Sequence, residues 1–295
     1  MASKYAAFPE NRGILGLEGE DARKFLQGLV SNDVTRIAPD HALYSALLTP
    51  QGKFLHDFFI VQVGDALLLD CEGARLGDLQ KRLSMYKLRS KVTLGDRSAD
   101  FTVVALFGDG TAEALGLSPE AGRAARLNGG SVFMDPRLAA AGARAILPAA
   151  DAEKILRDAG FETVPPEAYD RHRLQLGLPD GSRDMEVEKA ILLENGFDEL
   201  NGVDWDKGCY MGQELTARTK HRGLIKKRLV PVEIEGAAPA PGTPILYEGK
   251  EAGIMRTSRD RFGLALMRLE AMEESDAFNV GDTRLNPRKP SWAAF

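Results

Sequence analysis

The amino-acid sequence predicts a mixed α+β protein that ends in a small β-barrel. Residues 18–31 carry apolar side chains at helical spacing, and residues 43–70 contain strand-like runs separated by glycine-containing turns. After Lys227 the chain consists of short, evenly spaced strand-like runs between Gly, Pro and Asn-rich turns, which indicate a small barrel or meander. We therefore place a domain boundary near residues 222–227.

Helices are predicted where apolar residues recur every three to four positions. In residues 18–31 they are Ala22, Phe25, Leu26, Leu29 and Val30, and acidic residues stand at the N-terminal end, where the helix dipole favours them. We expect Asn32 and Asp33 to end this helix. The same spacing predicts helices over residues 73–87, 151–160 and 167–176.

Strands are predicted for LYSALLT, FLHDFFIVQV and ALLLD, which lie between residues 43 and 70, with hairpin turns at Gly52 and Gly64. FTVVALF at residues 101–107 predicts a buried strand. Residues 108–145 are rich in Gly and Ala and are expected to form loops and short elements. The C-terminal runs are RLVPVEIEG, TPILYEG, AGIMRTS and FGLALMRL.

Composition excludes some classes of protein. The chain has 295 residues, 44% of them apolar, and a formal net charge of −5, which argues against a general nucleic-acid binder. No apolar run approaches the ~20 residues needed to span a bilayer, and the N-terminus lacks the apolar core of a secretory signal. The two cysteines, Cys71 and Cys209, lie far apart and fit a reducing compartment, so a cytoplasmic protein is the default expectation.

The most informative stretch is NGVDWDKGCYMGQELTARTKHRG, residues 201–223. Cys209 lies between Gly208 and Gly212, and glycine tolerates positive φ and close approach of the backbone to a ligand. Lys207 and Arg218 lie near the cysteine in the sequence. Positive neighbours, or the start of a helix, lower the pKa of a thiol and favour the reactive thiolate.

Two interpretations of Cys209 remain open at this point. Cysteine is also one of the most commonly buried residue types and serves as a small apolar filler. The polar residues that follow Cys209 favour a functional role only slightly. Lys207 and Arg218 fit solvated surface charges equally well, and Glu214 fits an acid at a helix N-terminus.

The string KGCYMGQELTAR resembles the signature of the YgfZ-type folate-binding proteins, relatives of the glycine-cleavage T-protein (aminomethyltransferase) whose mitochondrial members serve iron–sulfur cluster assembly. The resemblance implies a T-protein-like architecture of three domains. Residues 1–45 and 160–225 form a discontinuous folate-binding domain, residues 46–159 a ferredoxin-like middle domain, and residues 226–295 the C-terminal β-barrel.

The resemblance also implies a site in which Cys209 is the reactive or cluster-contacting thiol. Lys207 and Arg218 tune it electrostatically, and Gln213 and Glu214 brace the turn by hydrogen bonds.

A second implied site binds tetrahydrofolate or a derivative. It contains Asp57, Arg89, Gln175 and Glu194. The Arg89 guanidinium matches a carboxylate such as the glutamate of folate, and Glu194 suits the N–H groups of a pterin ring. Gln175 replaces an acidic residue of the aminomethyltransferases and pairs with a pterin edge without supplying a charge.

No metal site of the usual spacing is present in the sequence. The four histidines show no ligand spacing with one another or with either cysteine, and four-cysteine ligation of an iron–sulfur cluster needs more thiolates than this chain has. Cys209 is therefore a candidate ligand only for a transient cluster shared with a partner, an iron–sulfur assembly or client protein.

Two functions of different class follow. The first is a folate-binding factor for the assembly, maturation or repair of iron–sulfur proteins. The second is a tetrahydrofolate-dependent one-carbon transferase, for which the expected Asn-Ala step is missing and only Asp78 is a nearby carboxylate. A cysteine hydrolase that pairs Cys209 with His221 is a weaker third interpretation.

Overall fold

The computed structural model describes residues 3–223 and 225–295. Its strands are β1 (Lys4–Ala7), β2 (Arg12–Glu18), β3 (Leu43–Leu48), β4 (Phe54–Val63), β5 (Ala66–Glu72), β6 (Thr93–Asp96), β7 (Phe101–Gly108), β8 (Ala124–Leu127), β9 (Gly130–Met134), β10 (Ala143–Pro148), β11 (Glu162–Thr163), β12 (Lys227–Glu235), β13 (Pro244–Tyr247), β14 (Lys250–Arg259), β15 (Phe262–Arg268), β16 (Phe278–Val280) and β17 (Thr283–Pro287). Its helices are α1 (Ala22–Gln27), α2 (Leu76–Lys87), α3 (Thr111–Ala114), α4 (Ala152–Asp158), α5 (Pro166–Leu176), α6 (Gly181–Asp184), α7 (Gln213–Arg222) and α8 (Leu269–Glu274).

The described residues form two compact units. The first comprises the residues up to Leu48 together with Leu55–Pro166 and Leu200–Met211. It contains a six-stranded sheet in the order β11-β1-β7-β10-β9-β8, in which β1 runs parallel to β11 and antiparallel to β7. Its second sheet has five strands in the order β3-β4-β5-β2-β6.

Buried ion pairs tie the two sheets of the first unit together. Asp70 on β5 accepts hydrogen bonds from Arg12 Nε at 2.6 Å and from Arg144 Nε, on β10, at 3.0 Å. The three side chains are no more than 5% exposed, and the Arg144 guanidinium lies 4.1 Å from the centre of the Phe59 ring. Because a buried charge without its partner costs several kcal/mol, these contacts fix which strands face each other.

The second unit comprises Thr49–Phe54, Glu167–Glu199 and the described residues from Gly212 onward. Its strands close into a barrel in the order β12-β15-β14-β13-β16-β17, filled by apolar side chains such as Val230, Met255 and Phe278. The predicted α+β class with a small C-terminal barrel is confirmed. The predicted domain boundaries remain predictions.

Helix α1 is shorter than predicted. It ends at Gln27 rather than at Asn32, with Gly28 as its C-terminal cap. Glycine is a poor helix former, and Val30 already forms an antiparallel bridge with Leu47 of β3. The chain therefore leaves the helix early and continues to β3 through a largely buried segment that contains a short 3-10 helix, Val34–Arg36.

Other strands were not predicted. Residues 108–145 contain β8, β9 and the start of β10, half of the six-stranded sheet. Strands β16 and β17 complete the barrel in a stretch that follows the last predicted run.

Candidate functional site

Lys207 fastens the segment Leu200–Met211 to the end of α1. Its ammonium donates to the carbonyl oxygens of Gln27 at 2.9 Å, Val30 at 2.6 Å and Asn32 at 2.7 Å. A lysine ammonium has three protons, so each is used. The Gln27 carbonyl is at the end of α1, where helix carbonyls lack partners within the helix and carry partial negative charge, so Lys207 acts there as a cationic cap. The Val30 and Asn32 carbonyls belong to the segment that follows the helix.

The environment of Lys207 changes its ionisation. Burial lowers the pKa of its ammonium from 10.5 to about 8, while the carboxylates of Asp33 and Asp204 act in the opposite direction. At neutral pH the group is therefore still mostly protonated, as its three acceptor contacts require.

Asp204 holds the start of the same segment. Its carboxylate accepts hydrogen bonds from the backbone N–H groups of Asp206 at 2.9 Å and Lys207 at 2.8 Å, an Asx turn. Its other oxygen pairs with Arg36 at 3.3 Å, and its own N–H donates to the Ser31 carbonyl at 3.1 Å. The segment is thus fixed on the side that precedes the cysteine.

Cys209 lies in a part of this segment that has no regular secondary structure, and it is exposed. On its far side the Met211 N–H donates to the Gly28 carbonyl at 3.1 Å. Gly212 has a φ of 81°, which requires glycine, but a Cβ at Gly208 would meet open space. The thiol is therefore presented to solvent by a backbone that is anchored before and after it.

Cys71 has the opposite character. It is 1% exposed on β5, its Sγ lies 3.6 Å from the Gly13 carbonyl, and burial raises the pKa of its thiol to about 12. Cys71 is a structural residue, which leaves Cys209 as the accessible thiol among residues 3–223 and 225–295.

A cleft of about 860 Å³ adjoins α1 in the first unit. Phe25, Leu29 and Tyr86 form apolar parts of its wall, and Lys24 and Arg89 contribute cations. Arg89 was predicted to bind an acidic tail, and its presence in a cleft is compatible with that role.

The cleft and the cysteine segment share a residue. Gly28 lines the cleft, and its carbonyl accepts the hydrogen bond from Met211. The wall of the cleft is therefore also a support of the segment that carries Cys209.

Asp57 is buried rather than open to the surface. It is 4% exposed on β4 and accepts a hydrogen bond from the Tyr44 hydroxyl at 2.8 Å. Burial, followed by the Asp57 carboxylate, raises the pKa of Tyr44 well above its usual value. A ligand contact of Asp57 stays a prediction.

The second unit carries the other two predicted folate residues. Gln175 is exposed on α5. Glu194 is half-buried in a short 3-10 helix over Leu192–Asn195, and its side chain makes no hydrogen bond or ion pair within the described parts of the chain. Burial raises the pKa of the Glu194 carboxyl, against the effect of nearby lysine and arginine side chains.

Gln213, Glu214 and Arg218 lie on α7, also in the second unit. Arg218 pairs with Glu214 one helical turn away, and both side chains are more than half exposed. This pair is a typical surface pair of a helix. The roles predicted for the three residues in tuning and bracing the thiol stay predictions.

Sequence reasoning missed the residues that position the cysteine. Asp204, Ser31 and Asn32 hold the segment, the last by donating from its amide to the Asn201 carbonyl at 2.7 Å. Asp204, three residues before Lys207, has the spacing of an Asx turn, and this pattern could have predicted the turn. The remaining contacts join residues about 170 positions apart and leave no local pattern.

Two kinds of feature are absent from residues 3–223 and 225–295. No group of three or more His, Cys, Asp or Glu side chains is placed to hold a metal ion. No helix in these ranges has the length and apolar character needed to cross a membrane.

Comparison with known protein families matches both ends of the chain. Residues 11–119 match the GCVT N-terminal domain, and residues 226–295 match the CAF17 C-terminal beta-barrel domain. Among solved structures, the glycine cleavage system aminomethyltransferase T from Bartonella henselae aligns with a TM-score of 0.76 over 99% of this chain and 87% of that chain, at 15% identity. The predicted T-protein-like fold is therefore confirmed.

Curated relatives extend over most of the chain. The iron-sulfur cluster assembly factor IBA57, mitochondrial, of Mus musculus is 34% identical over 90% of this chain and 77% of its own length. The Homo sapiens protein of the same name is 34% identical over 88% of this chain and 76% of its own length. A homologue from Mycosarcoma maydis is 36% identical over 82% of this chain and 60% of its own length.

These relatives correct one expectation. The cytoplasmic location inferred from composition is wrong, because the relatives are named as mitochondrial proteins. Unpaired cysteines indicate reducing conditions, and those conditions alone do not distinguish one reducing compartment from another.

Proposed function

The chain belongs to the IBA57 family of iron–sulfur cluster assembly factors, and from this membership we propose that it acts in iron–sulfur cluster assembly through the thiol of Cys209. The observation that carries the proposal is the exposure of Cys209 on an anchored segment. A thiol that must meet a cluster on another protein has to be accessible, and anchoring its backbone lowers the entropy lost when it binds.

The cluster is cargo rather than a resident group. Four-cysteine ligation is the usual requirement of a [2Fe–2S] or [4Fe–4S] cluster, and the accessible cysteine here supplies one thiolate. The other ligands have to come from a partner, so the chain acts as one half of a shared site during assembly or transfer.

Replacement of Cys209 in cells that lack the native protein tests this function. We expect Cys209→Ser to abolish the recovery of dependent iron–sulfur enzymes, while Cys71→Ala, which removes the buried thiol, restores them. Steady-state levels of both variants are measured in parallel. Full recovery by Cys209→Ser would refute the proposed role of the thiol.

We further propose that the chain binds a reduced folate. Glu194 supports this proposal, because a half-buried carboxyl without a partner among the described residues suits a ligand with adjacent N–H donors. Gln175, in the same unit as Glu194, is proposed to contact it as well. The ligand contacts of Asp57 and Arg89 stay predictions. The cofactor would supply a pterin ring and an acidic tail.

Calorimetry with tetrahydrofolate tests the folate proposal apart from the thiol. We expect Glu194→Gln to weaken binding at least about tenfold, which corresponds to about 1.4 kcal/mol, and Cys209→Ser to leave it unchanged. Absence of binding by the unaltered protein at millimolar tetrahydrofolate would contradict it.

The alternative, one-carbon transfer, has less support. Asp78, the carboxylate near the expected position, pairs with Arg82 at 2.8 Å and with His56 Nε2 at 2.9 Å. A carboxylate engaged with an arginine is a weak proton acceptor, because the charge of the arginine stabilises its ionised form.

A further inference from the structure

Apolar side chains are exposed at and just after the end of α2, where Tyr86 and Leu88 line the cleft beside α1. Met85, Tyr86 and Leu88 are 60%, 39% and 89% exposed, and they account for three of the five large hydrophobic residues that are exposed in the described ranges. Leu88 also has a φ of 43°, a left-handed conformation that non-glycine residues rarely adopt. A strained backbone that holds leucine in water points to a role in contact with another molecule.

The cleft also carries positive charge. Lys24 and Arg89 line it, and neither forms an ion pair within residues 3–223 and 225–295. The acid of the lining, Asp21, accepts a hydrogen bond from the Lys91 N–H at 2.8 Å. Two cations and one carboxylate leave an excess of positive charge beside the apolar wall, on a chain whose net charge is −5.

The position of the cleft relates it to Cys209. Gly28 lines the cleft and holds Met211, two residues beyond the thiol. The same segment exposes Trp205, which is 40% accessible. A protein that brings further thiolates to a cluster at Cys209 therefore has apolar and cationic surface within its reach.

We propose that the cleft seats an acidic segment with an apolar side chain, belonging to the protein that supplies the remaining thiolates to the cluster. The inference rests on the proposed function and names the docking site of its partner. The apolar side chain of the segment packs on Leu88 and Tyr86, and its carboxylates meet Lys24 and Arg89. Aromatic and arginine side chains are the types that most often dominate protein interfaces.

Photo-crosslinking in cells tests the identity of the occupant. The full chain is made with p-benzoylphenylalanine at Leu88, at Trp205 or, as a control on the barrel, at Leu246, which is 51% exposed. We expect the Leu88 and Trp205 probes to capture the same cysteine-containing protein, joined at Leu88 through a segment rich in Asp and Glu. The Leu246 probe should not capture it.

The outcomes separate the two proposals. Capture at Trp205 but not at Leu88, or capture of different proteins by the two probes, overturns the docking site and leaves the function of Cys209 standing. If neither probe captures a protein, both the shared cluster site and the docking site are refuted.

Affinity measurements with the captured protein give the energetic test. We expect Arg89→Glu to weaken binding about tenfold or more at low salt, and less at 0.5 M salt, where screening is strong. Lys250→Glu, an exposed reversal on β14, should have little effect, and Cys209→Ser should still dock. Equal affinities for Arg89→Glu and Lys250→Glu overturn the proposal.

The variant Leu88→Gly tests docking without a loss of folding stability. Glycine accepts a φ of 43° without strain, so the variant should unfold at the same temperature or higher while docking weakens at least about tenfold. Undiminished docking overturns the proposal. So does tight binding of vesicles of anionic phospholipid that depends on Leu88 and Arg89, because the surface would then be a membrane contact.

Discussion

Substitution of Lys207 by methionine should loosen the cysteine segment without unfolding the protein. Methionine keeps the length of the apolar stem but removes the three hydrogen bonds to the carbonyls of Gln27, Val30 and Asn32. Each bond to a charged group is worth about 1.5–3 kcal/mol. Two effects offset much of this energy: the charged ammonium no longer has to be buried, and water can reach the carbonyls. We therefore expect the free energy of unfolding to fall by about 2–3 kcal/mol.

Urea unfolding combined with amide hydrogen exchange measures this effect. The exchange rate of the Met211 N–H, which donates to Gly28, should rise by a factor of about 30 to 150, the equivalent of 2–3 kcal/mol. Barrel amides such as that of Val230 should not exchange faster by more than the same factor, the limit set by the loss of global stability.

Lys250→Met, on an exposed lysine of β14, is the matched control. A loss of stability below about 0.5 kcal/mol, with the Met211 amide as protected as in the parent protein, would show that Lys207 is not a structural cap.

Three further predictions concern stability and reactivity. Burial lowers the pKa of His56 from 6.5 to about 4. The stability that its neutral ring allows is therefore complete above pH 6.5, and the free energy of unfolding should fall by up to about 3 kcal/mol as the pH drops to 4. Equal pH dependence of the urea midpoint in His56→Gln and in the parent protein would contradict this. Iodoacetamide at pH 7.5 should alkylate Cys209 in the folded protein but Cys71 only after denaturation, which mass spectrometry of the peptides measures. Rapid labelling of both cysteines would contradict the burial of Cys71. Arg144→Met removes one of the two cations that meet Asp70 and should cost about 3–5 kcal/mol in urea unfolding, whereas a loss under 1 kcal/mol would mean that the sheets are held by other contacts.

The fold was predictable from the sequence where a helix or strand has a clear periodic pattern of apolar residues. The strands β3, β4 and β5 and the helix α2 show clear periodicity, and each lies within about three residues of its predicted range. Strands β8 to β10 mix small residues with Arg, Leu, Phe and Met and show no regular alternation of polar and apolar side chains. Of these strands, β10 pairs with β7, which lies more than 30 residues earlier and outside any local window, and β9 and β8 follow on from β10.

The exposure of Cys209 was one of two interpretations that the sequence left open, and the contacts of its segment were not predictable. The sequence placed a cation, Lys207, two residues before Cys209. It did not indicate that the Lys207 ammonium is used on three backbone carbonyls, because those belong to residues 175 to 180 positions earlier. The Asp135-Pro-Arg137 turn likewise suggested no chemistry, and in the structure Arg137 pairs with Asp135 and lies 4.8 Å from the centre of the Phe59 ring.

Closure of the C-terminal barrel limits how another polypeptide can associate with it. Every barrel strand has hydrogen-bonded neighbours on both sides, so no row of unpaired N–H and C=O groups is left for strand addition. The edge strand β11 of the six-stranded sheet is only two residues long, which makes it a poor template as well. Recognition at the barrel and at the β11 edge must therefore read side chains rather than backbone, and a foreign strand has little opportunity to add at either place.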